Sequence, residues 1–364
     1  MKTYNEILSD VTKTATKIPQ SDYLDAGKYR IFDQGKEYSV GFSNDEQGVV
    51  TDYPYIIFGD HTRVVKYVDE PCYIGADGVK LLKVINKDFD PRYVYYNILA
   101  KPIESQGYAR HFKFLKEIQF TEKSFSEQQK IAAELDSIQS AIDNKKQQLA
   151  LLDEAVKSKF VEMFGENPVE SGEWKVEKLG DCGTFKNGMN YSPNENGVDV
   201  LCLNVSDFKD NYKIQDCKTL SAISLNEEPS SEYYLQNDDI VFVRSNGNKK
   251  FVGRCVALYP NDCKVLFSGF CIRFRKNTDN LNTDFLLHFL KTDLTREQLK
   301  GKGANIQNLN QQILANLHLP VPHLDLQNQF ASFVQQIDKS KSLVKQQIAD
   351  LQELLDSKMQ QYFA

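Results

Sequence analysis

One helical segment occurs twice in this chain, and the repeat constrains the fold more than any other feature. Residues 127–164 and 326–363 match without a gap at one constant offset, so that Ile131 corresponds to Phe330. The segments before the two copies also carry related apolar runs, but their similarity is weaker. Each half is therefore predicted to be one mixed domain followed by one long helix. Such a pseudo-two-fold chain suits a target that also has two halves.

Both copies carry a heptad pattern of apolar residues, which indicates coiled-coil packing. No glycine or proline interrupts either copy, so each is predicted to form one helix about 50 Å long. Two narrow stripes in one frame are most readily buried against each other, although Lys145 and Lys341 interrupt them. Two independent surface helices are the alternative. The predicted seam comprises Ile131, Leu135, Ile138, Ile142, Leu149, Leu152, Val156, Phe330, Val334, Ile337, Val344, Ile348, Leu351 and Leu355.

The composition is that of a chain large enough for two hydrophobic cores. It has 364 residues, 41% of them hydrophobic, and no apolar run of about 18 residues that could cross a membrane. The first residues lack an apolar signal region, which predicts a cytoplasmic protein. The 7 cysteines are an odd number without a C-x-x-C pair, so we expect reduced thiols and no metal site.

Short β-rich runs separated by turn clusters predict an α+β fold. Helices are expected to begin near Pro91 and near Asn282, where Asn282 offers an N-cap. The predicted architecture is two β-rich domains joined by two long antiparallel helices that form a coiled coil, with an internal pseudo-two-fold repeat. The β-rich runs are 55–58, 80–85, 239–243 and 270–274. The predicted boundaries are 1–123 and 165–324 for the two domains, and 124–164 and 325–364 for the two helices.

Basic and polar residues gather in loops at matching points of the two halves, although the net charge of the chain is −6. Arginine and lysine can donate to guanine O6 and N7, and asparagine can pair with adenine N6 and N7. Solvated hairpins are the alternative for any single loop. The candidate DNA-binding residues are His61, Arg63, Lys66, Arg110, His111, Lys113, Arg244, Asn246, Asn248, Lys249, Lys250, Arg254, Lys300, Lys302 and Asn305.

Several short motifs occur in an order that resembles a known family. They are the helix start Ser126-Glu127-Gln128-Gln129-Lys130-Ile131, the domain start Trp174-Lys175-Val176-Glu177-Lys178-Leu179-Gly180-Asp181, the strip end Asn308-Leu309-Asn310, the connector Leu317-His318-Leu319-Pro320-Val321-Pro322 and the helix start Gln327-Asn328-Gln329-Phe330. Together they resemble the DNA specificity subunit of type I restriction-modification systems over essentially the full length. The first half departs from the pattern, since it lacks the Trp-initiated start and the proline connector.

This resemblance implies two target-recognition domains at opposite ends of two antiparallel helices. Each domain reads one half of a bipartite, asymmetric site in double-stranded DNA. The helices set the spacer and dock two methyltransferase subunits, and two restriction subunits complete the complex. S-adenosylmethionine, ATP and Mg²⁺ belong to those partners, so the resemblance implies no cofactor in this chain.

No motif for chemistry is visible in the chain itself. The nearest match to an amino-methyltransferase motif, Asp52-Tyr53-Pro54-Tyr55, lacks the first of two prolines. There is no G-x-x-x-x-G-K-[ST] and no H-E-x-x-H. We therefore expect a non-catalytic subunit. The alternatives are an enzyme whose site lacks a motif, a structural coiled-coil adaptor, and a DNA-binding subunit of a methylation-based phage-defence system without a restriction subunit.

Overall fold

The computed structural model describes residues 1–75, 78–107, 109–192, 194–209, 211–300 and 309–363. The chain divides into two compact units. Unit 1 comprises Met1–Leu149 and Leu343–Ala364, and unit 2 comprises Ala150–Ser342. Each unit thus combines one mixed domain with segments of both long helices. None of the helices in the described ranges is long and apolar enough to span a bilayer.

Unit 1 begins with a domain of seven strands and three short helices, followed by the first long helix. Its elements are α1 (Tyr4–Ile7), β1 (Leu8–Asp10), β2 (Tyr29–Phe32), β3 (Gly41–Ser43), β4 (Tyr55–Gly59), β5 (Val65–Val68), β6 (Cys72–Ile74), β7 (Val79–Val84), α2 (Pro91–Leu99), α3 (Phe112–Leu115) and α4 (Phe125–Phe164). One antiparallel sheet has the order β1-β7-β4-β5, and a second, mixed sheet has the order β3-β2-β6.

The described residues of the second half of the chain form ten strands and four α-helices. They are β8 (Lys175–Lys178), β9 (Gly183–Asn187), β10 (Val198–Leu203), β11 (Lys213–Ile214), β12 (Ala222–Leu225), β13 (Asp239–Val243), β14 (Cys255–Leu258), β15 (Val265–Phe267), β16 (Cys271–Lys276), α5 (Thr283–Leu290), α6 (Asp293–Lys300), α7 (Gln311–Ala315), β17 (His318–Val321) and α8 (Leu324–Phe363). Their sheets have the orders β11-β14-β13-β16-β9, β12-β10-β15 and β17-β8.

The central strands of both units are apolar on both faces because each separates two cores. In β13, Ile240 and Phe242 point into one core, and Val241 and Val243 into another. Strand β4 alternates in the same way, with Ile56 and Phe58 in one core and Tyr55 and Ile57 in the other. Full burial of one such side chain stabilises the fold by roughly 1.5–3 kcal/mol. These continuous apolar runs explain why both strands were predicted from the sequence.

Helices α2 and α5 begin where the sequence predicts them, each behind a side-chain cap. The carboxylate of Asp90 accepts hydrogen bonds from the backbone N–H groups of Arg92 and Tyr93. The Asn282 side chain does the same for Asp284 and Phe285. Each cap satisfies amides that have no partner within the helix.

A buried glutamine in the first turn of each long helix binds the residue that caps a shorter helix of the same unit, α2 in unit 1 and α5 in unit 2. Gln128 accepts from Asp90 N at 2.9 Å and donates to two backbone carbonyls. Gln327 accepts from Asn282 N at 2.8 Å and likewise donates to two carbonyls. Both glutamines are 0% exposed. They occupy matching positions of the sequence repeat, so the same clamp joins domain to helix in both units.

Every residue of the predicted seam is buried or half-buried along the two long helices. Those buried are Ile131, Leu135, Ile142, Val156, Phe330, Val334, Val344 and Leu355, and those half-buried are Ile138, Leu149, Leu152, Ile337, Ile348 and Leu351. Leucines outside the predicted frame are exposed, as shown by Leu151 at 61% and Leu343 at 67%. The heptad frame therefore identifies the face that is covered.

Helices α4 and α8 contact each other within each unit. In unit 1, Glu134 lies 2.7 Å from the Lys358 ammonium and accepts a hydrogen bond from Tyr362 Oη at 2.6 Å. In unit 2, Lys341 pairs with Asp153 at 2.5 Å. Lys341, which interrupts the predicted seam, is thus neutralised by the facing helix.

An ionic cluster joins the sheet domain of unit 2 to its segment of α8. Lys213 Nζ, in strand β11, lies 2.6 Å from Asp284 Oδ1 and 3.5 Å from Asp338 Oδ2. Asp284 is in the first turn of α5 and is buried, whereas Asp338 belongs to α8. The lysine therefore joins β11 to α5 and α8. Removing the Lys213 ammonium would leave the buried charge of Asp284 uncompensated.

An aromatic group beside this cluster holds the imidazole of His288. The ring stacks on Tyr212 with centroids 5.1 Å apart and meets Phe330 edge-on at 5.3 Å. Burial, together with the positive charges of Lys291, Lys213 and Lys341, lowers the pKa of His288 to about 3. Burial is also the main reason that the pKa of Lys291 falls to about 8.

His288 should make unit 2 sensitive to acid. Its folded-state pKa lies below the ordinary value of 6.5, so between these limits the unfolded chain binds the extra proton and stability falls as pH drops. We expect His288→Phe, which keeps an aromatic ring without a titrating group, to lose less stability between pH 6.5 and 4. Thermal unfolding midpoints across this range provide the measurement. Parallel pH profiles for the variant and the original chain would contradict the prediction.

Candidate nucleic-acid interface

The basic loop, defined as residues 244–254, joins two central strands of unit 2. It leaves β13 after Val243 and enters β14 at Cys255. Its ends are closed by two backbone hydrogen bonds, from Val243 N to Arg254 O at 2.8 Å and from Gly253 N to Val243 O at 2.9 Å. The loop is therefore a hairpin connection mounted on a strand that is buried on both faces.

Four cations of the basic loop have no carboxylate partner among the described residues. Lys249, Lys250 and Arg254 are exposed, and Arg244 is half-buried. Arg254 is oriented by a hydrogen bond to Lys209 O at 3.3 Å and by the Phe251 ring, 4.3 Å from its guanidinium. Uncompensated positive charge of this density is suited to a polyanion.

The asparagines of the basic loop also shape its backbone. Asn246 Oδ1 accepts from Asn248 N at 2.8 Å, and Asn248 Oδ1 accepts from Lys250 N at 3.1 Å. These are turns in which the side chain replaces a backbone acceptor. Their amide NH₂ groups remain exposed donors, whereas the oxygens that adenine pairing would use are already engaged.

The second basic stretch of unit 2 is described only in part. Lys300 ends α6 and is exposed, while Lys302 and Asn305 lie outside the described residues. Immediately after the stretch, Leu309 N donates to Arg244 O at 2.9 Å. Leu309, the first described residue after this stretch, is therefore attached to the first residue of the basic loop.

In unit 1, His61 and Arg63 lie in the short turn between β4 and β5. His61 is exposed, and its backbone N–H donates to Gln34 Oε1 at 3.2 Å. Arg63 adopts a positive φ of 64°, and its guanidinium donates to Ile103 O at 3.2 Å. Arg63 thus braces the turn against the segment after α2 and offers only part of its donors to a ligand.

Two predicted DNA contacts, Lys66 and His111, have a structural position instead. Lys66 is 6% exposed and lies 3.3 Å from Asp33, and burial lowers its pKa. His111 is 0% exposed; its Nδ1 lies 3.1 Å from Asp60 O, and its Nε2 accepts from Gln106 N at 3.0 Å. Neither side chain has free surface for a nucleic acid, because each is needed inside the domain.

Arg110 and Lys113 flank the buried histidine and point to solvent. Both are exposed, and neither has a carboxylate partner in the described part of the chain. The Lys113 ammonium lies 4.7 Å from the Phe114 ring centroid. With His61, these two residues are the exposed candidates of unit 1, and half-buried Arg63 retains part of its donors.

Sequence reasoning missed an ion pair at the start of β13, the end of the strand remote from the basic loop. Asp239, fully buried in β13, accepts two hydrogen bonds of 2.7 Å from Arg275 in β16. This bidentate pair ties the two strands together. The available signal was one carboxylate in the otherwise apolar strand β13 and several basic residues in β16. In the described part of the chain, no group of three or more His, Cys, Asp or Glu side chains could hold a metal ion.

A comparison with protein families agrees with the order of motifs. A family model described as "Type I restriction modification DNA specificity domain" matches residues 5–154 and 171–353. This match confirms the resemblance drawn from the sequence, and it covers most of both halves.

Curated relatives are similar over part of their length. The type I restriction enzyme StySPI specificity subunit of Salmonella potsdam is 25% identical over 248 residues, which are 62% of this chain and 51% of that protein. The EcoKI specificity subunit of Escherichia coli strain K12 is 27% identical over 170 residues, which are 43% and 36% of the two chains. The chain thus spans about half the length of the first curated relatives it matches.

Solved structures share the fold at low sequence identity. The S subunit of a type I restriction-modification system from M. genitalium gives a TM-score of 0.57 at 15% identity, covering 98% of this chain and 94% of that one. A chain from a structure of type I system assembly and conformational transition gives 0.53 at 14%, covering 87% and 83%. These likenesses support the mixed fold with two related domains.

His111 and its neighbour Arg110 provide a matched pair for separating structural from surface roles. His111→Ala is expected to lower the free energy of unfolding by about 1–3 kcal/mol, because the buried ring and its hydrogen bonds to the Asp60 carbonyl and the Gln106 N–H are lost. Arg110→Ala should change it by less than about 0.5 kcal/mol. Denaturant unfolding of both variants checks this. Similar losses for the two would show that His111 does not hold the turn.

Proposed function

Because the chain belongs to the family of type I restriction-modification DNA specificity proteins, we propose that it is the sequence-reading subunit of such a system and catalyses no reaction itself. Each unit reads one half of a bipartite, asymmetric site in double-stranded DNA. The partners are two methyltransferase subunits and two restriction subunits. S-adenosylmethionine, ATP and Mg²⁺ are bound by these partners, and the complex works in the cytoplasm, where the host DNA lies.

The unpaired cations of the basic loop support DNA binding most directly. The chain as a whole carries a net charge of −6, yet Arg244, Lys249, Lys250 and Arg254 have no counter-ion within the described ranges. Phosphates would supply the missing negative charge, and arginine would read guanine. The alternative function, a structural coiled-coil adaptor, does not require a loop of this charge.

Contacts between the long helices support a role as a spacer. Glu134, near the start of α4, contacts Lys358, near the end of α8. Towards the end of α4, Phe160 packs against Phe330, near the start of α8, with centroids 5.5 Å apart. This pattern is expected of one antiparallel coiled coil. With such a coil as the spacer, we expect the centres of the two half-sites to lie about one duplex turn, roughly 34 Å, apart on the DNA.

Methylation mapping of the host with and without this gene tests the proposed function. Loss of one bipartite motif with two unlike half-sites is expected when the gene is removed. An unchanged methylation map would contradict the proposal. Restriction of an unmodified plasmid then distinguishes a complete restriction system from one that only methylates.

The basic loop should supply both base and phosphate contacts in one half-site. If Arg244 reads a base, Arg244→Ala should weaken binding by about 1–3 kcal/mol and relax specificity at one base pair. Loss of a phosphate contact in Lys249→Ala should weaken all sequences and reduce the salt slope by about one. Anisotropy titrations with the mapped site and a random duplex at several salt concentrations measure these effects.

Lys178→Ala serves as the matched control, because it removes an exposed cation in β8, outside the basic loop. This variant should bind like the original chain. If Arg244→Ala, Lys249→Ala and Arg254→Ala also leave affinity and motif unchanged, the basic loop is only a solvated hairpin.

Shortening both helices should shorten the spacer without changing the half-sites. Deleting residues 149–155 together with 339–345 removes one heptad from each helix and takes out Asp153 and its partner Lys341 together. The distance between the two half-sites should fall by about 10 Å, which corresponds to roughly three base pairs at 3.4 Å each. Methylation mapping of the variant would show this directly.

Deletion from α4 alone is the control, because it breaks the register of the seam and should abolish specific methylation. An active double-deletion variant with the original spacer, or with altered half-sites, would overturn the spacer assignment.

A further inference from the structure

A large aromatic side chain is exposed at the turn between β15 and β16. Phe270 keeps 63% of its surface accessible, although phenylalanine is among the residues most often buried. The sequence predicted it as the first residue of a strand, but β16 begins at Cys271. Phe270 therefore belongs to the turn, where its ring is not covered by the strand's neighbours.

The backbone of Phe270 is held on both sides while its ring remains free. Its N–H donates to Ser268 Oγ at 3.2 Å, and its carbonyl accepts from Arg244 N at 2.7 Å. Cys271 N donates to Ser268 O at 2.8 Å and closes the turn. The ring is thus presented from a fixed backbone, which lowers the entropy lost when a ligand covers it.

Two glycines allow this turn to pack against the chain that follows β9. A Cβ atom at Gly188 would overlap the carbonyl oxygen of Ser268, and one at Gly269 would overlap the Asn190 side chain. The Gly269 N–H also donates to Met189 O at 2.8 Å. The tip that carries Phe270 is therefore supported on two sides, by this segment and by the start of the basic loop.

The segments that support this turn carry residues with hydrogen-bond donors. The backbone N–H of Arg244, the first residue of the basic loop, donates to the Phe270 carbonyl. Asn187 and Asn190 are exposed on the other supporting segment. Phe270 is thus an exposed apolar side chain on a turn held by residues of types that can read base edges.

We propose that Phe270, exposed on a turn whose backbone is bonded to the first residue of the basic loop, determines specificity by packing against the 5-methyl group of a thymine in the half-site read by unit 2. The inference rests on the proposed function. The thymine methyl is the apolar group that base pairs present in the major groove, where arginine and asparagine also find their partners. Side chains that wedge base pairs apart enter from the minor groove, which suits this donor-rich tip less well.

Duplexes that replace one thymine by deoxyuridine test the proposal, because only the 5-methyl group is lost. The full chain should bind one such duplex about fourfold more weakly, the equivalent of one buried methyl group. Phe270→Ala should bind both duplexes equally and more weakly than the original chain binds the thymine duplex. Phe125→Ala, which removes an exposed phenylalanine at the start of α4, should keep the original discrimination.

The ring makes none of the bonds that hold the turn, so Phe270→Ala should keep its thermal unfolding midpoint. Equal binding of thymine and deoxyuridine duplexes by the original chain at every position overturns the proposal. The same holds for unchanged discrimination by Phe270→Ala, and for a half-site without A·T pairs. In all three cases the original chain still prefers its site to random DNA. Loss of that preference would contradict the proposed function itself.

Discussion

Two buried glutamines set how each domain is mounted on its long helix, and the position of every loop depends on that mounting. Gln128 and Gln327 each make three hydrogen bonds to backbone groups of the domain, including the amide of the residue that caps α2 or α5. A buried amide left without these partners would cost about 1–3 kcal/mol for each unsatisfied group. The geometry between helix and domain is therefore specified by directional bonds as well as by apolar packing.

The sheets hold the loops of the candidate interface in fixed positions. Strands β4 and β13 are buried on both faces, so neither can rotate without disrupting two cores. Polar contacts add to this packing in both units. Asp60 and His111 hold the turn after β4, and Asp239 pairs with Arg275 between β13 and β16, at the end of β13 remote from the basic loop. Several charged residues thus hold the sheets and turns in shape.

Both units combine a mixed domain with segments of the two long helices, but their surface chemistry differs. In unit 2 the loop after the central strand is long and carries four cations that have no carboxylate partner among the residues that the structure describes. In unit 1 the corresponding turn is short, and Arg63 and Lys66 bond within the domain, so accessible charge moves to Arg110 and Lys113. Domains that differ in this way would read unlike sequences, as the proposed asymmetric site requires.

The sequence by itself determined the elements that follow from local periodicity. The heptad frame, the runs at 55–58 and 239–243 and the helix starts at Pro91 and Asn282 needed only neighbouring residues for their prediction. Tertiary structure decided which basic side chains are accessible. Lys66 and His111 look like surface residues in sequence, yet Asp33 and Asp60, distant along the chain, enclose them. Phe270 is the opposite case, because its apolar side chain predicts a strand residue but is exposed. Its ring reaches solvent because the turn before β16 packs against the segment after β9. Burial depends on such contacts between segments that are far apart in sequence.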